Sequence, residues 1–330
     1  MWKTWKGFVL AGCALFAISP SLLAQTETPE PTARYRLTFE ATWSAATHAA
    51  PANPHFSPLI GGTHNQGVDF WSPGGLASEA IKEMAQAGRP GLLRAEVQAA
   101  QTMGTAGEVI EGQEIPSPGM DQDTFTATTT HPLATVVTMV APSPDWFVGV
   151  DALPLQVNGQ WIEGRVVELF PWDAGTDSGT DFTSPNQPTR PPQPIARLGP
   201  PLDGDVPLGR FVFERLDAPE IPPLELGDGA YRITARWSLA DGTFGTGRGS
   251  ELTADTGTFW FFDPANVELV VKVLDACAVN GHRWVFAAGL TSVGVELEVE
   301  EVASGITQPY ENPVDTPFLP VQDTGAFPCN

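Results

Sequence analysis

The spacing of apolar and polar positions makes most of this chain a succession of short alternating runs. Residues 34–43 (RYRLTFEATW) place Tyr35, Leu37, Phe39 and Ala41 on one face, the period-two pattern of a half-buried strand. Residues 93–99 alternate in the same way, and 124–130 form a threonine-rich β segment. Residues 133–140 and 146–150 are apolar β runs joined by the turn Ala141-Pro142-Ser143-Pro144-Asp145, and 161–170 read as a further strand. That strand leads into residues 171–179 (PWDAGTDSG), whose residue types are those of a loop. One stretch breaks the period. Between Gly74 and Gly88, Leu76, Ala80, Ile81, Met84, Ala85 and Ala87 recur at helical spacing and predict a single short helix.

The second half keeps the alternation. Eight prolines fall within residues 184–207, which predicts a first domain over 34–195 and a linker over 196–208. A second module over 209–330 would then open with a strand at 209–216. Tyr231, Ile233, Ala235 and Trp237 share a face in the next run, and 259–262, 267–274, 284–288 and 293–302 follow as strands. Short strands separated by Asp, Gly and Asn turns predict an all-β chain of two sandwiches, the second the smaller.

Composition narrows the function classes. The chain has 330 residues with 17 basic and 39 acidic side chains, a formal net charge of −22. Nothing in that balance neutralises a phosphate backbone or an anionic lipid surface, so neither nucleic acid nor membrane insertion is expected. Residues 1–24 carry Lys3 and Lys6 ahead of an apolar run from Phe8 to Leu23, with the small residue Ala24 at the end. This is the pattern of a cleaved secretory leader, followed by a polar linker over 25–33. Leu10-Ala11-Gly12-Cys13 imitates a lipoprotein box, but cleavage at Cys13 would leave only about five apolar residues upstream, fewer than such a leader needs. The leader predicts secretion, to the extracellular space or a periplasm. Its loss removes two lysines and no acids, taking the charge from −22 to −24. Cys277 and Cys329 then remain, an even number in an oxidising compartment, and predict one disulfide.

The residues with chemical potential are aspartates. Asp145 lies in a turn between apolar strands, and Asp173 and Asp177 lie in a glycine-containing loop after the 161–170 strand. If those strands are neighbours, three carboxylates meet at one end of the sandwich, and like charges there repel unless a cation joins them. Calcium suits irregular loops better than magnesium, and zinc would call for His or Cys. The competing reading from residue type alone is three solvated aspartates capping turns.

At these same residues the chain resembles a known family. HFSPLIGGTH (55–64), DFWSPGGLASE (69–79), PSPDWFVGV (142–150) and PWDAGTDSG (171–179), ending at SPNQP (184–188), occur in the order found in the spondin domain of F-spondin and mindin. The resemblance covers roughly residues 34–195. It implies a C2-like antiparallel β-sandwich with calcium in loops at one end, and its calcium aspartates carry over to Asp145, Asp173 and Asp177. Two departures limit it. Residues 34–195 contain no cysteine, and the thrombospondin-type repeats of the animal proteins are missing, so their signalling roles do not transfer. The second half is similar to a β-module appended to secreted bacterial proteins.

Other motifs carry less. Asp255-Thr256-Gly257 and Asp323-Thr324-Gly325 imitate the paired loops of aspartic proteases but lie too close in sequence for two lobes. Thr176-Asp177-Ser178-Gly179 imitates a serine-protease nucleophile segment, with His131 the upstream candidate base. His55 and His64 flank an apolar segment and suit structural hydrogen bonds better than a metal. The expectation is a non-enzymatic, calcium-binding module that binds an extracellular protein or glycan surface, including adhesion. The alternative is a carbohydrate-binding accessory module, for which Trp71, Trp146 and Trp172 would have to be exposed.

Overall fold

A computed structural model of the chain describes residues 31–202 and 206–329, so the leader and most of the 25–33 linker lie outside the described residues. Strand makes up most of the regular structure, as the alternation predicts, and the strands pair antiparallel.

The Thr32–Ala41 strand buries Tyr35, Leu37, Phe39 and Ala41, the face read from the sequence. It lies between Gly119–Thr128 and Gly209–Arg215, and Gly164–Leu169 pairs with the far side of the latter. The opposing sheet is built on Leu133–Ala141, flanked by Trp146–Pro154, His55–Phe56 and Ile60–His64. One apolar cluster fills the space between the sheets, with Leu37, Phe39, Phe125, Phe211 and Phe213 meeting Phe56, Val136, Val140 and Val148. A second cluster covers the outer face of the opposing sheet, where Val137, Met139 and Phe147 pack against two helices. Residues 134–141 are therefore buried on both faces, which explains an apolar run without alternation.

The helices are Glu79–Ala87 and Gly91–Thr102. The first is bounded as its sequence suggests: the Ser78 side chain accepts from the Ile81 N–H, and Gly88 closes it in a left-handed conformation. The second corrects the expected β alternation at 93–99. Leu93, Val97 and Ala100 are buried at the i, i+4, i+7 spacing of a helix. Small alanines at 95 and 99 satisfy both periods, and packing against the sheet decides between them.

The proline-rich segment also departs from expectation. The Gly209–Arg215 strand does not open the second module; it is an interior strand of the first sheet, with Phe211 and Phe213 in the first core. Ile195, Leu202 and Leu208 are buried along the way. Residues 184–202 thus stay with the first sandwich, residues 206–208 lead into its Gly209–Arg215 strand, and the cores part between Phe213 and Leu224.

The second core lies between two further sheets. Tyr231–Ser238 and Gly294–Glu301 face Leu269–Ala276 and His282–Gly289, enclosing Ile233, Leu297, Val271, Val285 and Phe327. Thr243–Thr246 joins this half to the first by pairing with both Tyr231–Ser238 and Gly164–Leu169. Cys277 and Cys329 form the expected disulfide, stapling the ends of Leu269–Ala276 and Val321–Pro328 on either side of His282–Gly289.

Candidate metal centre

Asp145 is wholly buried in the turn ahead of Trp146–Pro154, where Trp146 donates its N–H back to Ser143 Oγ at 3.1 Å. Trp172–Asp173 pairs antiparallel with Trp146–Phe147, so Asp173 sits opposite Trp146. The strand ending near Phe170 is not the neighbour of Trp146–Pro154 that the sequence suggested; the two loops meet through Trp172–Asp173 instead. Gly164–Leu169 belongs to the first sheet, and the chain crosses at Phe170-Pro171 to reach the second.

Asp145 stitches the two loops together. Its Oδ2 accepts from the Thr176 N–H (2.7 Å), the Thr176 hydroxyl (2.9 Å) and the Asp177 N–H (2.9 Å), and its carbonyl accepts from the Ala174 N–H. Its Oδ1 is buried without a hydrogen-bond partner among the described residues. Asp173 Oδ1 accepts from the Gly175 N–H at 2.7 Å, while Asp177 accepts from Gly179 and Gln187 N–H groups at 2.8 and 2.9 Å. The proline-rich segment straps the loop from outside: Thr189, Gln193 and Ser178 close backbone bonds with Thr176, Gly175 and Gln187. Gly175 is required there, with φ +72 and a Cβ position 2.1 Å from the Gln193 carbonyl oxygen.

Electrostatics follow from burial. Loss of water pushes the Asp145 carboxyl up to about 6, and the Asp173 charge adds to it, against the three hydrogen bonds on Oδ2. Burial also raises Asp173, with Asp177 contributing, against the Gly175 N–H. None of the three enters a salt bridge among the described residues. Their oxygens are not all gathered within 4.8 Å of one another; the described trio that is, Asp275 with Cys277 and Cys329, has its sulfurs in the disulfide. The donor set is oxygen only. Together with one buried oxygen left over beside a second carboxylate, it fits a hard cation and not zinc.

Two contributors had no signal in the sequence pattern. Thr176 supplies both a backbone and a side-chain donor to Asp145, and Gln86 reaches from the first helix to the Thr176 hydroxyl at 3.0 Å. Polar positions on a helix carry no periodic mark of what they touch.

The remaining candidates fall into local roles. Ser178 Oγ donates to the Gln187 carbonyl rather than to an imidazole. His64 is buried between Thr135 Oγ1 and the Asn65 carbonyl, which with its lowered basicity from burial suits a structural role, and His55 bonds the Asn53 carbonyl instead. His131 bonds Thr128, Thr130 and the Gly104 carbonyl. Asp255 takes the Thr253 and Thr256 hydroxyls, and Asp323 takes the Tyr310 hydroxyl. Trp71 and Trp146 are buried, and the half-buried Trp172 is covered by the Arg197 guanidinium at 5.2 Å, so these three form no flat stacking surface.

Comparison with known proteins covers this same region. A family model described as Spondin_N matches residues 33–206, more than half of the chain and all three aspartates. Spondin-1 of Mus musculus is 37% identical over 182 residues, which is 51% of this chain and 22% of that protein. Spondin-2 of Rattus norvegicus is 33% identical over 205 residues, 60% of this chain and 61% of its own length. Spondin-1 of Gallus gallus is 32% identical over 257 residues, covering 74% of this chain and 28% of the relative. The chain thus spans about a fifth of the Spondin-1 of Mus musculus. The chain belongs to the Spondin_N family.

Proposed function

We propose that this is a secreted, non-enzymatic, calcium-binding spondin-domain protein that acts as an extracellular binding or adhesion module. The observation that carries the metal assignment is Asp145 Oδ1, buried without a partner among the described residues in a loop pair that already holds Asp173 and Asp177. Leaving a carboxylate oxygen there unsatisfied is costly, and a cation removes both that cost and the repulsion. Asp145, Asp173 and Asp177 would hold the ion, with loop carbonyls and water completing a flexible oxygen shell. Calcium would supply charge neutralisation and would tie the turn at 142–145 to the 173–179 loop and its strap, presenting a rigid end for a partner. The secretory pattern of residues 1–24 and the extended β surface support an extracellular role. No described helix is long and apolar enough to cross a membrane. The carbohydrate alternative loses its platform with the burial of Trp71 and Trp146.

Thermal melting with millimolar calcium and with chelator tests the reading. A ligand at about 100 times its Kd adds roughly 2.7 kcal/mol, which for a unit of this size raises the midpoint on the order of 5–10 °C. Asp173→Asn should blunt the shift, while Glu114→Gln, an exposed acid on the same sandwich, should not. Identical curves with calcium and with chelator would defeat the assignment.

A further inference from the structure

A concavity lies where the two halves share a sheet. Arg236 is in register with Glu296, Ser238 with Phe244, and Phe244 with Gly164, so these positions and Val166 lie on one sheet face. Val166, Arg236, Ser238, Phe244 and Glu296 are among the residues that line a cavity of about 360 Å³ there. Two glycines create it. Phe244 lies across Gly164, where a Cβ would come within 2.0 Å of the ring, and Gly242 tucks its turn against Val166, where a Cβ would sit 2.0 Å from the carbonyl oxygen. The walls are fixed from both halves: Arg165 pairs with Asp241 at 2.9 Å, and Glu163 accepts from the Thr246 N–H and hydroxyl, each at 2.9 Å. The site is preformed at a junction between two cores, a common place for small-ligand pockets.

Its chemistry is specific. Arg236 and Glu296 lie directly across neighbouring strands, yet neither enters an ion pair with a described residue. Beside them is an apolar floor of Phe244 and Val166, both half-buried. One cationic and one anionic side chain, neighbours across two strands at the same cavity, suit a small ligand that carries both a carboxylate and an ammonium. We propose that this pocket binds a free α-amino acid with an apolar or aromatic side chain: carboxylate to Arg236, ammonium to Glu296, side chain over Phe244. The site is independent of the metal loops.

Titration calorimetry on the full chain tests this with three probes: L-phenylalanine, N-acetyl-L-phenylalanine and L-phenylalanine methyl ester. L-Phenylalanine should bind saturably with one site per chain. Each masked analogue should bind about tenfold more weakly, the loss expected for one charge-assisted hydrogen-bond partner. Arg236→Gln should abolish the preference over the ester, and Glu296→Gln the preference over the N-acetyl compound. Both side chains are exposed, so neither variant should disturb folding, and unchanged circular dichroism checks that. No saturable heat with L-phenylalanine overturns the proposal. So does equal binding of all three probes, or binding that neither variant alters.

Discussion

Asp145 and Asp255 occupy the same kind of place, a turn between two strands, and end in opposite electrostatic states. Asp145 is buried, beside another acid, and its carboxyl is pushed up to about 6. Asp255 is only half-buried, and hydrogen bonds from the Thr253 and then the Thr256 hydroxyl hold its carboxyl below the ordinary range, with Lys272 adding to the effect. Both accept hydrogen bonds, so acceptance does not separate a ligand from a cap. What separates them is an oxygen left over after burial has removed the water that would otherwise satisfy it. The two halves are correspondingly held in different ways: the first by loops stitched through a buried acid, the second by a covalent staple.

The largest expected effect breaks that staple. Replacing Cys277 and Cys329 with serine frees a loop with a sequence separation of 52, for which the chain-entropy model gives a loss of about 4 kcal/mol. Urea denaturation should show the second core unfolding earlier while the calcium response of the first is unchanged. If instead one transition moves as a whole, the shared sheet makes the two cores a single cooperative unit.

Next in size is Asp145→Ala. It strips the acceptor from two backbone N–H groups and one hydroxyl in a buried site, at a cost of about 3 kcal/mol. Asp255→Ala should leave the urea midpoint where it was, because water replaces what the carboxylate did. A similar loss in both variants would mean that position in a turn, and not burial, sets the difference.

The fold was legible wherever one period dominated. Tyr35, Leu37 and Phe39 announce their strand, and Ser78 and Gly88 announce the limits of the first helix. Two places misled. Residues 93–99 carry alanines that fit either period, and prolines at 184–207 signal an ordered strap as readily as a linker, since both lack interior ladder hydrogen bonds. Of the candidate site, the sequence offered the three aspartates by residue type and family resemblance, and the structure puts Asp145 in hydrogen-bond contact with the loop that carries the other two. The partnership of Thr176 and Gln86 was not, because it depends on a helix, a loop and a turn that meet only in three dimensions.

Backbone conformation sharpens the contrast a third time. Gly175→Ala imposes a left-handed alanine and drives its Cβ to within 2.1 Å of the Gln193 carbonyl oxygen, so the loss should be about 2–3 kcal/mol. Gly229 in the second half also has positive φ, at +84, but its nearest neighbour to a Cβ is the Glu225 carboxylate at 3.8 Å. Gly229→Ala should cost about 1 kcal/mol, the conformational penalty alone. Equal losses would show that the strap yields freely around Gly175, which would weaken the case for a rigid metal loop.

The smallest effect is a dependence on pH whose sign calcium should reverse. In the metal-free fold Asp145 keeps a proton up to about 6, whereas the unfolded chain releases it near 3.8. Between those values the native state binds more protons, so stability falls as pH rises through that window, by about 3 kcal/mol in total, of which roughly 2 falls above pH 4.5. Asp173 and Asp151 are raised by burial and act in the same direction. Asp241 and Asp255 are lowered and act in the opposite direction below their ordinary range, and His64, lowered by burial, also acts in the opposite direction, up to its own ordinary range. With calcium bound, the ionised form of Asp145 becomes the favoured one, its folded carboxyl drops below the unfolded value, and stability should rise with pH instead. Urea midpoints at pH 4.5 and 7.0, in calcium-free buffer and with saturating calcium, measure both slopes. Asp145→Asn cannot ionise, so subtracting its slope isolates the contribution of this one carboxyl. A wild-type slope that calcium leaves unchanged, or that Asp145→Asn reproduces, would remove Asp145 from the metal site.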